Sequence, residues 1–192
     1  AGIATVCDIM PLLDENRIIV KEAMKSLQNP KNPGLHALIK VNELDAAKFT
    51  SFSIGFVIGP CLNATGRLDS AELSLGLLMA KSFEEAVPLA TTLKEYNANR
   101  KELTEKGVEK ALALLEEGEY DKDRVLVLYL PDVHESLAGI IAGRIREKTG
   151  KPTFALTKGE EGVKGSARSI ENYHIYDEMT KCKQFLTKYG GH

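Results

Sequence analysis

Tryptophan is absent from this 192-residue sequence, and its only three cysteines are Cys7, Cys61 and Cys182. These lie far apart and form no Cys-x-x-Cys pair, which fits a reducing compartment and argues against a disulfide framework or a cysteine zinc site. No apolar run approaches the roughly 18 residues that a membrane-spanning helix needs, and the N-terminus lacks the layout of a signal peptide. We therefore expect a cytoplasmic protein that does not associate with membranes.

The formal net charge is only −2, but the charges are unevenly distributed. Residues 72–123 hold twelve acidic and seven basic side chains, whereas residues 140–170 hold three acidic and seven basic ones. The length allows one large domain or two small ones, and this asymmetry favours two. The basic C-terminal region fits either a surface for a polyanion or an ordinary solvated face.

The first two-thirds of the sequence predict mainly helices. Asn16 is a candidate cap for a helix over 17–28, and a short helix is expected over 35–41. Residues 49–58 are apolar but interrupted by glycine, so strand and helix both remain open. Residues 82–85 form a capping box that starts a long helix, or a pair of helices, ending at Gly118.

A different pattern begins near residue 121. A buried strand over 124–130, a helix over 136–148 that ends at Gly150, and a strand over 153–157 predict a βαβ unit if the two strands pair in parallel. A further strand is expected over 163–169 and a short helix over 175–182.

Pro88 lies beyond the first turn of the long helix that starts at residues 82–85, where we expect a kink or a later helix start.

Several short stretches could carry chemistry, each with a plainer structural explanation. Gly165 allows close backbone approach while Ser166, Arg168 and Ser169 offer donors to a phosphate, although the stretch could be a tight turn with an exposed arginine. Asn63 and Arg67 flank a small-residue turn and could bind a phosphate, or the turn could cap a helix from Asp69 onward. His134, after a predicted strand, is either a ligand contact or a residue of a surface turn, and Asp8 is either a metal ligand or a helix cap. Gly190, Gly191 and His192 would by themselves be a flexible chain end.

Taken together, these stretches resemble the RecJ family of single-strand-specific exonucleases, members of the DHH phosphoesterase superfamily. Five stretches resemble family motifs and occur in the family's order: Thr5-Val-Cys-Asp-Ile-Met-Pro-Leu12, Ile58-Gly-Pro-Cys-Leu-Asn-Ala-Thr-Gly-Arg-Leu68, Val133-His-Glu-Ser-Leu-Ala-Gly-Ile-Ile-Ala-Gly-Arg-Ile145, Lys164-Gly-Ser-Ala-Arg-Ser169 and Gly190-Gly-His192. Cys61 stands where the family commonly has arginine, and Glu135-Ser136 replaces the usual Pro-Gly.

The resemblance implies a phosphodiesterase that uses Mn²⁺ or Mg²⁺ to remove nucleotides from the 5′ end of single-stranded DNA in repair and recombination. By motif, Asp8 would be a catalytic metal ligand and His192 a catalytic and substrate-contacting residue. The substrate would be bound by Gly165, Ser166, Arg168, Ser169, Gly190 and Gly191, with Asn63, Arg67 and His134 as further contacts. A single-strand-binding protein or a helicase would be a possible partner of the parent protein.

The fold class expected from the resemblance is α/β. Residues 1–80 would be the end of a DHH catalytic domain, residues 81–120 a helical connector, and residues 121–192 a small DHH-associated substrate-binding domain. The family's aspartate-rich motifs and Asp-His-His triplet are absent, so this chain alone should not hydrolyse DNA. Two alternatives are a phosphodiesterase for oligoribonucleotides or cyclic dinucleotides and a non-catalytic nucleic-acid-binding relative.

Overall fold

A computed structural model describes residues 1–45, 48–68, 71–160 and 162–191, with residues 67 and 68 described by their backbone. The chain divides into two compact units, residues 1–101 and 102–192. The division falls inside one long helix, so neither unit begins or ends at a loop there. No helix among the described residues is both long enough and apolar enough to span a membrane.

The regular secondary structure in the described part of unit 1 is all helical. Its elements are α1 (Gly2–Cys7), α2 (Asp14–Gln28), α3 (Pro33–Val41), α4 (Ser51–Ser53), a π-helical turn (Ile54–Ile58), α5 (Gly59–Leu68), α6 (Glu72–Met79) and the first part of α7 (Phe83–Glu117). Five large apolar side chains of its core are fully buried: Leu38, Ile54, Ile58, Leu77 and Leu93. These apolar contacts, rather than a sheet, hold the unit together.

One helix prediction in unit 1 needs correction, and one alternative that the sequence left open is decided. The second helix begins at Asp14, and the Asn16 side chain donates to the Pro11 carbonyl oxygen at 3.1 Å instead of capping the helix. Of the ambiguous residues 49–58, residues 51–58 are helical, because Thr50 and Ser53 form a reciprocal capping box that starts the helix there. Ile54 and Ile58, four residues apart, then both lie in the core.

The predicted long helix is a single element, α7. Ser82 Oγ accepts a hydrogen bond from the Glu85 backbone N–H at 3.1 Å, which fixes the first turn ahead of Pro88. A later start was therefore a wrong alternative, and Pro88 lies inside the helix. Its missing N–H removes one backbone hydrogen bond, while buried Ala86, Ala90 and Leu93 hold the helix in place.

Unit 2 contains a three-stranded sheet of β1 (Leu126–Tyr129), β2 (Thr153–Gly159) and β3 (Gly162–Arg168), in that order across the sheet. Strand β1 pairs with β2 in parallel, and β2 pairs with β3 antiparallel. The parallel pair is connected by α8 (Glu135–Thr149), so the predicted βαβ unit is confirmed. A short helix, α9 (Ile175–Lys181), follows the sheet, and 3₁₀ turns lie at Tyr120–Lys122 and Lys183–Phe185.

Helix α8 packs through one apolar stripe. Leu137, Ile141 and Ile145, spaced four residues apart, are buried in one core cluster with Leu126 and Leu128 of the first strand. The helix ends at Gly150, whose φ of +69° is the left-handed conformation that glycine adopts without steric cost. Because this stripe is buried against the first strand, a different face of α8 contacts the third strand.

Candidate nucleic-acid interface

Three polar side chains of β3 form a row on one face of the sheet. Lys164, Ser166 and Arg168 alternate along the strand and therefore point to the same side. We call these three residues the strand row. All three lie next to α8: Lys164 Nζ is 2.9 Å from Glu135 Oε2, and both Ser166 and Arg168 lie over Gly139. The strand row is thus positioned by β3 and by its contacts with α8.

The spacing of the two elements explains this match. Residues four apart on a helix are separated by about 6.0 Å along its axis, and residues two apart on a strand by about 6.6 Å. Glu135, Gly139 and Gly143 can therefore accompany the strand row position by position. The order of contacts is the same along both elements, since Glu135 meets Lys164 and Gly143 meets the Arg168 stem, with 3.9 Å between a Cβ built at 143 and Arg168 Cγ.

Arg168 has an exposed side chain that runs along the helix surface. Its Nη1 donates to the Ala167 carbonyl oxygen at 2.9 Å. A Cβ built on Gly139 would lie 2.8 Å from Arg168 Nη2, so the guanidinium rests almost directly on the helix backbone. An arginine held this way presents a fixed, permanently charged donor group to a phosphate.

Gly165 lines an open depression of about 230 Å³ together with Glu135, Ser136 and Lys164. The glycine is required by the protein itself, because a Cβ there would lie 2.4 Å from Leu156 Cδ2 and 2.9 Å from the Ala155 carbonyl oxygen. Close packing of β3 on β2 is therefore an additional reason for glycine at this position. The depression lies beside the strand row and has room for a small anionic group.

Glu135 gives this surface one negative charge. The hydrogen bond and positive charge of Lys164 lower the pKa of the Glu135 carboxyl below its ordinary value. The carboxylate thus stays ionised and partly neutralises the lysine beside the depression.

Two other predicted contacts have structural roles in unit 2. His134 is the N-cap of α8, and its Nδ1 accepts a hydrogen bond from the Ser136 backbone N–H at 3.3 Å. Ser169 lies beyond the end of β3, where its hydroxyl oxygen accepts the Ile175 N–H at 3.2 Å and its carbonyl oxygen accepts Arg146 Nη1 at 3.4 Å. Both residues therefore already form hydrogen bonds that hold the local backbone.

The C-terminal glycines are exposed. Nothing lies within 4 Å of a Cβ built on Gly190, and Gly191 would meet Tyr176 Cδ2 only at 4.0 Å. The rings of Tyr176 and Tyr189 lie 5.8 Å apart and hold this segment against α9. His192, assigned by motif to catalysis and substrate contact, lies outside the described residues.

The predicted turn around Asn63 and Arg67 is wrong, because residues 59–68 form α5. Small residues suit this helix for packing: Ala64 and Thr65 are fully buried. The Thr65 hydroxyl lies 3.0 Å from Ser74 Oγ, which itself donates to the Leu62 carbonyl oxygen at 2.7 Å. This pair fixes α5 against α6. Asp69 lies outside the described residues, and α6 begins at Glu72.

Asn63 is exposed and lines a second depression of about 130 Å³ in unit 1 with Cys7, Gly55, Gly59, Pro60 and Arg100. The sequence analysis missed Arg100, whose Nε and Nη2 donate to Asn97 Oδ1 at 3.2 and 3.0 Å. The two residues are three apart on α7, but no local motif marks them. The side chain of Arg67 lies outside the described part of the structure.

Cys61 is fully buried beneath this depression. Its thiol donates to Asn42 Oδ1 at 3.7 Å and accepts from Asn97 Nδ2 at 3.6 Å. Burial raises the pKa of the Cys61 thiol, which keeps it protonated and unreactive. Cys61 thus takes part in a polar contact within the core of unit 1.

Asp8 caps the C-terminus of α1 and has an exposed carboxylate next to Cys7. Across residues 1–45, 48–68, 71–160 and 162–191, no three histidine, cysteine, aspartate or glutamate side chains cluster closely enough to hold a metal ion. A divalent cation in a protein needs several oxygen ligands. The described residues therefore do not fit a complete metal site, and Asp8 could supply at most one of its ligands.

The comparisons with known proteins agree along the whole chain. Residues 122–192 match the DHHA1 domain family. The single-stranded-DNA-specific exonuclease RecJ of Escherichia coli is 36% identical over the full chain, and that of Thermus thermophilus is 31% identical. The crystal structure of RecJ in complex with Mg²⁺ from Thermus thermophilus matches all of the chain with a TM-score of 0.87 at 31% identity.

Over its full length the chain is similar to one part of RecJ. It covers 35% of the Escherichia coli RecJ, 27% of the Thermus thermophilus RecJ and 29% of the crystallised Mg²⁺ complex. A crystal structure of an exonuclease RecJ bound to manganese also matches, with a TM-score of 0.82 over 99% of this chain and 46% of that one. The chain thus spans between 27% and 46% of these RecJ proteins. Its fold is of the α/β class that the sequence predicted.

Proposed function

We propose that this chain is the DNA-holding part of a metal-dependent 5′-to-3′ single-stranded-DNA exonuclease, and that the strand row contacts the DNA backbone. The observation that carries the proposal is the alignment of Lys164, Ser166 and Arg168 on one face beside an open depression. A phosphate backbone is recognised mainly by such basic and hydroxyl donors. The relatives named as single-stranded-DNA-specific exonucleases support the choice of substrate.

Residues 1–80 are proposed as the end of the DHH catalytic domain, residues 81–120 as the connector and residues 121–192 as the substrate-binding domain. Asp8 would supply one carboxylate to Mn²⁺ or Mg²⁺, which are the ions named for the crystallised RecJ structures. Asn63, Arg67, Gly190, Gly191 and His192 are proposed as further substrate contacts. Because one carboxylate does not make a metal site, the isolated chain should bind DNA without hydrolysing it.

The other predicted residues receive narrower roles. Gly165 lines the depression. Ser169 and His134 bind backbone groups at the ends of the elements that carry the strand row. The cell compartment is proposed to be the cytoplasm. In repair and recombination, a single-strand-binding protein or a helicase would deliver the substrate to the parent protein.

The test is an anisotropy titration of the chain with labelled single-stranded DNA, duplex DNA and a dinucleotide at two salt concentrations. We expect salt-sensitive binding that prefers the single strand and weakens about tenfold in Arg168→Ala, because one charge-assisted phosphate contact is lost. Arg124→Ala is the control, since it removes an equally exposed positive charge before the opposite edge strand. If both variants lose the same DNA affinity, the loss is due to the change in overall charge and not to a specific contact of Arg168.

The remaining outcomes separate the alternatives. Binding restricted to the dinucleotide would favour the phosphodiesterase of short substrates. Degradation of single-stranded DNA by the pure chain with Mn²⁺ would contradict the claim that its metal site is incomplete. Absence of binding to all three nucleic acids would refute the assignment of this surface to DNA.

A further inference from the structure

We propose that Gly139 is a positioning residue for Arg168: the absence of a side chain at position 139 lets the guanidinium lie against α8 in the orientation that meets a phosphate. The proposal rests on the proposed function, in which Arg168 binds the DNA backbone. It concerns a residue inside a helix, where glycine is otherwise unfavourable. A reason for glycine at this position must therefore come from what lies over it.

The distances supply that reason. A Cβ at position 139 would lie 2.8 Å from Arg168 Nη2, 3.5 Å from Arg168 Cζ and 3.4 Å from Ser166 Oγ. The first distance is too short for a carbon and a nitrogen that share no bond. The guanidinium would have to move away from α8, and the serine hydroxyl would also be crowded.

The displaced group is the end of a flexible side chain and not backbone. The fold can therefore accept a methyl group at 139 by rotating the arginine, which would also disturb the 2.9 Å bond from Nη1 to the Ala167 carbonyl oxygen. In the native arrangement the bond and the helix surface restrict the guanidinium from two sides. A restricted side chain loses less conformational entropy when it binds a phosphate.

Gly143, one turn further along α8, provides a matched comparison. A Cβ there would approach only the Arg168 stem, at an ordinary 3.9 Å from Cγ. Gly139→Ala and Gly143→Ala are the same chemical change in the same helix, and both raise helix propensity. Only the first is expected to move the guanidinium.

The experiment measures binding of labelled single-stranded DNA by the full chain carrying Gly139→Ala, Gly143→Ala, Arg168→Ala or Gly139→Ala with Arg168→Ala. We expect Gly139→Ala to weaken binding about three- to tenfold and Gly143→Ala to leave it unchanged. In the Arg168→Ala background, Gly139→Ala should have no further effect, which is the signature of action through the arginine. Melting temperatures of the glycine variants should equal or exceed that of the parent.

Each contrary result has a distinct meaning. If Arg168→Ala does not affect binding, the proposed function and this inference fail together. If Arg168→Ala weakens binding while Gly139→Ala does not, only the positioning role fails. The role is also overturned if Gly139→Ala weakens binding equally without Arg168, if Gly143→Ala has the same effect, or if Gly139→Ala lowers the melting temperature enough to account for its loss.

Discussion

The two units differ in how their candidate residues are held. In unit 2 the strand row lies on one strand and is supported by the adjacent α8 at three successive positions. In unit 1, Asp8, Asn63 and Arg100 come from three separate helices, α1, α5 and α7. The proposed phosphate-binding surface thus comes from one strand and its neighbouring helix, whereas the candidate residues of unit 1 are gathered from several segments of the chain.

The exposed surfaces differ in the same sense. Ile9, Leu13 and Ile18 of unit 1 are apolar, yet they expose 89%, 69% and 63% of their area. The candidate surface of unit 2 instead exposes basic and hydroxyl groups that water solvates well. Unit 2 therefore carries its candidate site on a polar surface of its own, which is the comparison that the following predictions test.

The largest expected effect is loss of the support beneath the strand row. Ile141→Ala should lower the free energy of unfolding by about 3 kcal/mol, because it leaves a cavity under α8 at a fully buried position. Urea denaturation followed by circular dichroism gives the value. Val163→Ala, at a position that is 62% exposed, is the control and should change stability little. A small loss at Ile141 would mean that the strand row does not depend on this packing.

An effect of about 2 kcal/mol is expected in unit 1 from Gly34→Ala. A Cβ at Gly34 would lie 2.0 Å from the Leu77 carbonyl oxygen, and backbone cannot move aside as a side chain can. Thermal unfolding measures the loss. Gly76→Ala, on the same facing helix as Leu77, meets nothing within 4 Å and should stabilise slightly. Similar results for both variants would remove the claim that α3 and α6 require close contact.

A gain is expected at the end of α1. Ile9 has a φ of +53°, a conformation that strains a β-branched residue, while the Met10 N–H bonds to the Thr5 carbonyl oxygen at 3.1 Å in the turn that ends the helix. Ile9→Asn should raise the free energy of unfolding by about 1 kcal/mol, because asparagine tolerates this conformation. Ile18→Asn, equally polar but inside α2, should not do so. An unchanged melting temperature for Ile9→Asn would contradict strain at this position.

The smallest effect concerns charge at the depression of unit 2. Glu135→Gln removes the negative partner of Lys164 and should strengthen binding of single-stranded DNA about two- to threefold at low salt. Glu147→Gln, on an exposed position of the same helix, is the charge-matched control. A loss of affinity in Glu135→Gln would show that the ion pair orients the lysine instead of competing for it.

The same pair predicts a pH dependence. Because Lys164 lowers the pKa of the Glu135 carboxyl, the stabilising ion pair is fully present above the pKa of an unfolded glutamate and is lost as pH falls through the lower folded value. An NMR titration of the Glu135 carboxyl should therefore give a midpoint below that of an ordinary glutamate. In Lys164→Ala the midpoint should return to the ordinary range.

Local patterns predicted much of the fold. The elements of unit 2 were predicted to within a few residues, since β-branched strands and the glycine after α8 carry clear signals. Residues 49–58 carried none, because the exposed face of this segment is apolar as well: Phe52 and Phe56 expose 63% and 65% of their area, so no polar residues mark a period. Asn63 was assigned to a turn from its small neighbours, whereas their packing in the core favours a helix.

The candidate site was predicted only in part, for a different reason. Ser166 and Arg168 were identifiable from their chemistry, but their contact with Gly139 depends on the register between a strand and a helix almost thirty residues away. Arg100 has no motif of its own, and its position beside Asn63 follows from the packing of α7 in unit 1. Such contacts come from tertiary structure and cannot be inferred from spacing along the chain.

The position of β3 in the sheet has a consequence for solubility. It pairs only with β2 among the described strands, so no further strand of this sheet covers its other edge. Edges of this kind can recruit strands from other molecules and start aggregation, and charged side chains on them oppose it. Lys164 and Arg168 place positive charges on this edge strand, so two copies that approached edge to edge would repel each other. Neutralising both residues would therefore remove this repulsion and favour edge-to-edge aggregation.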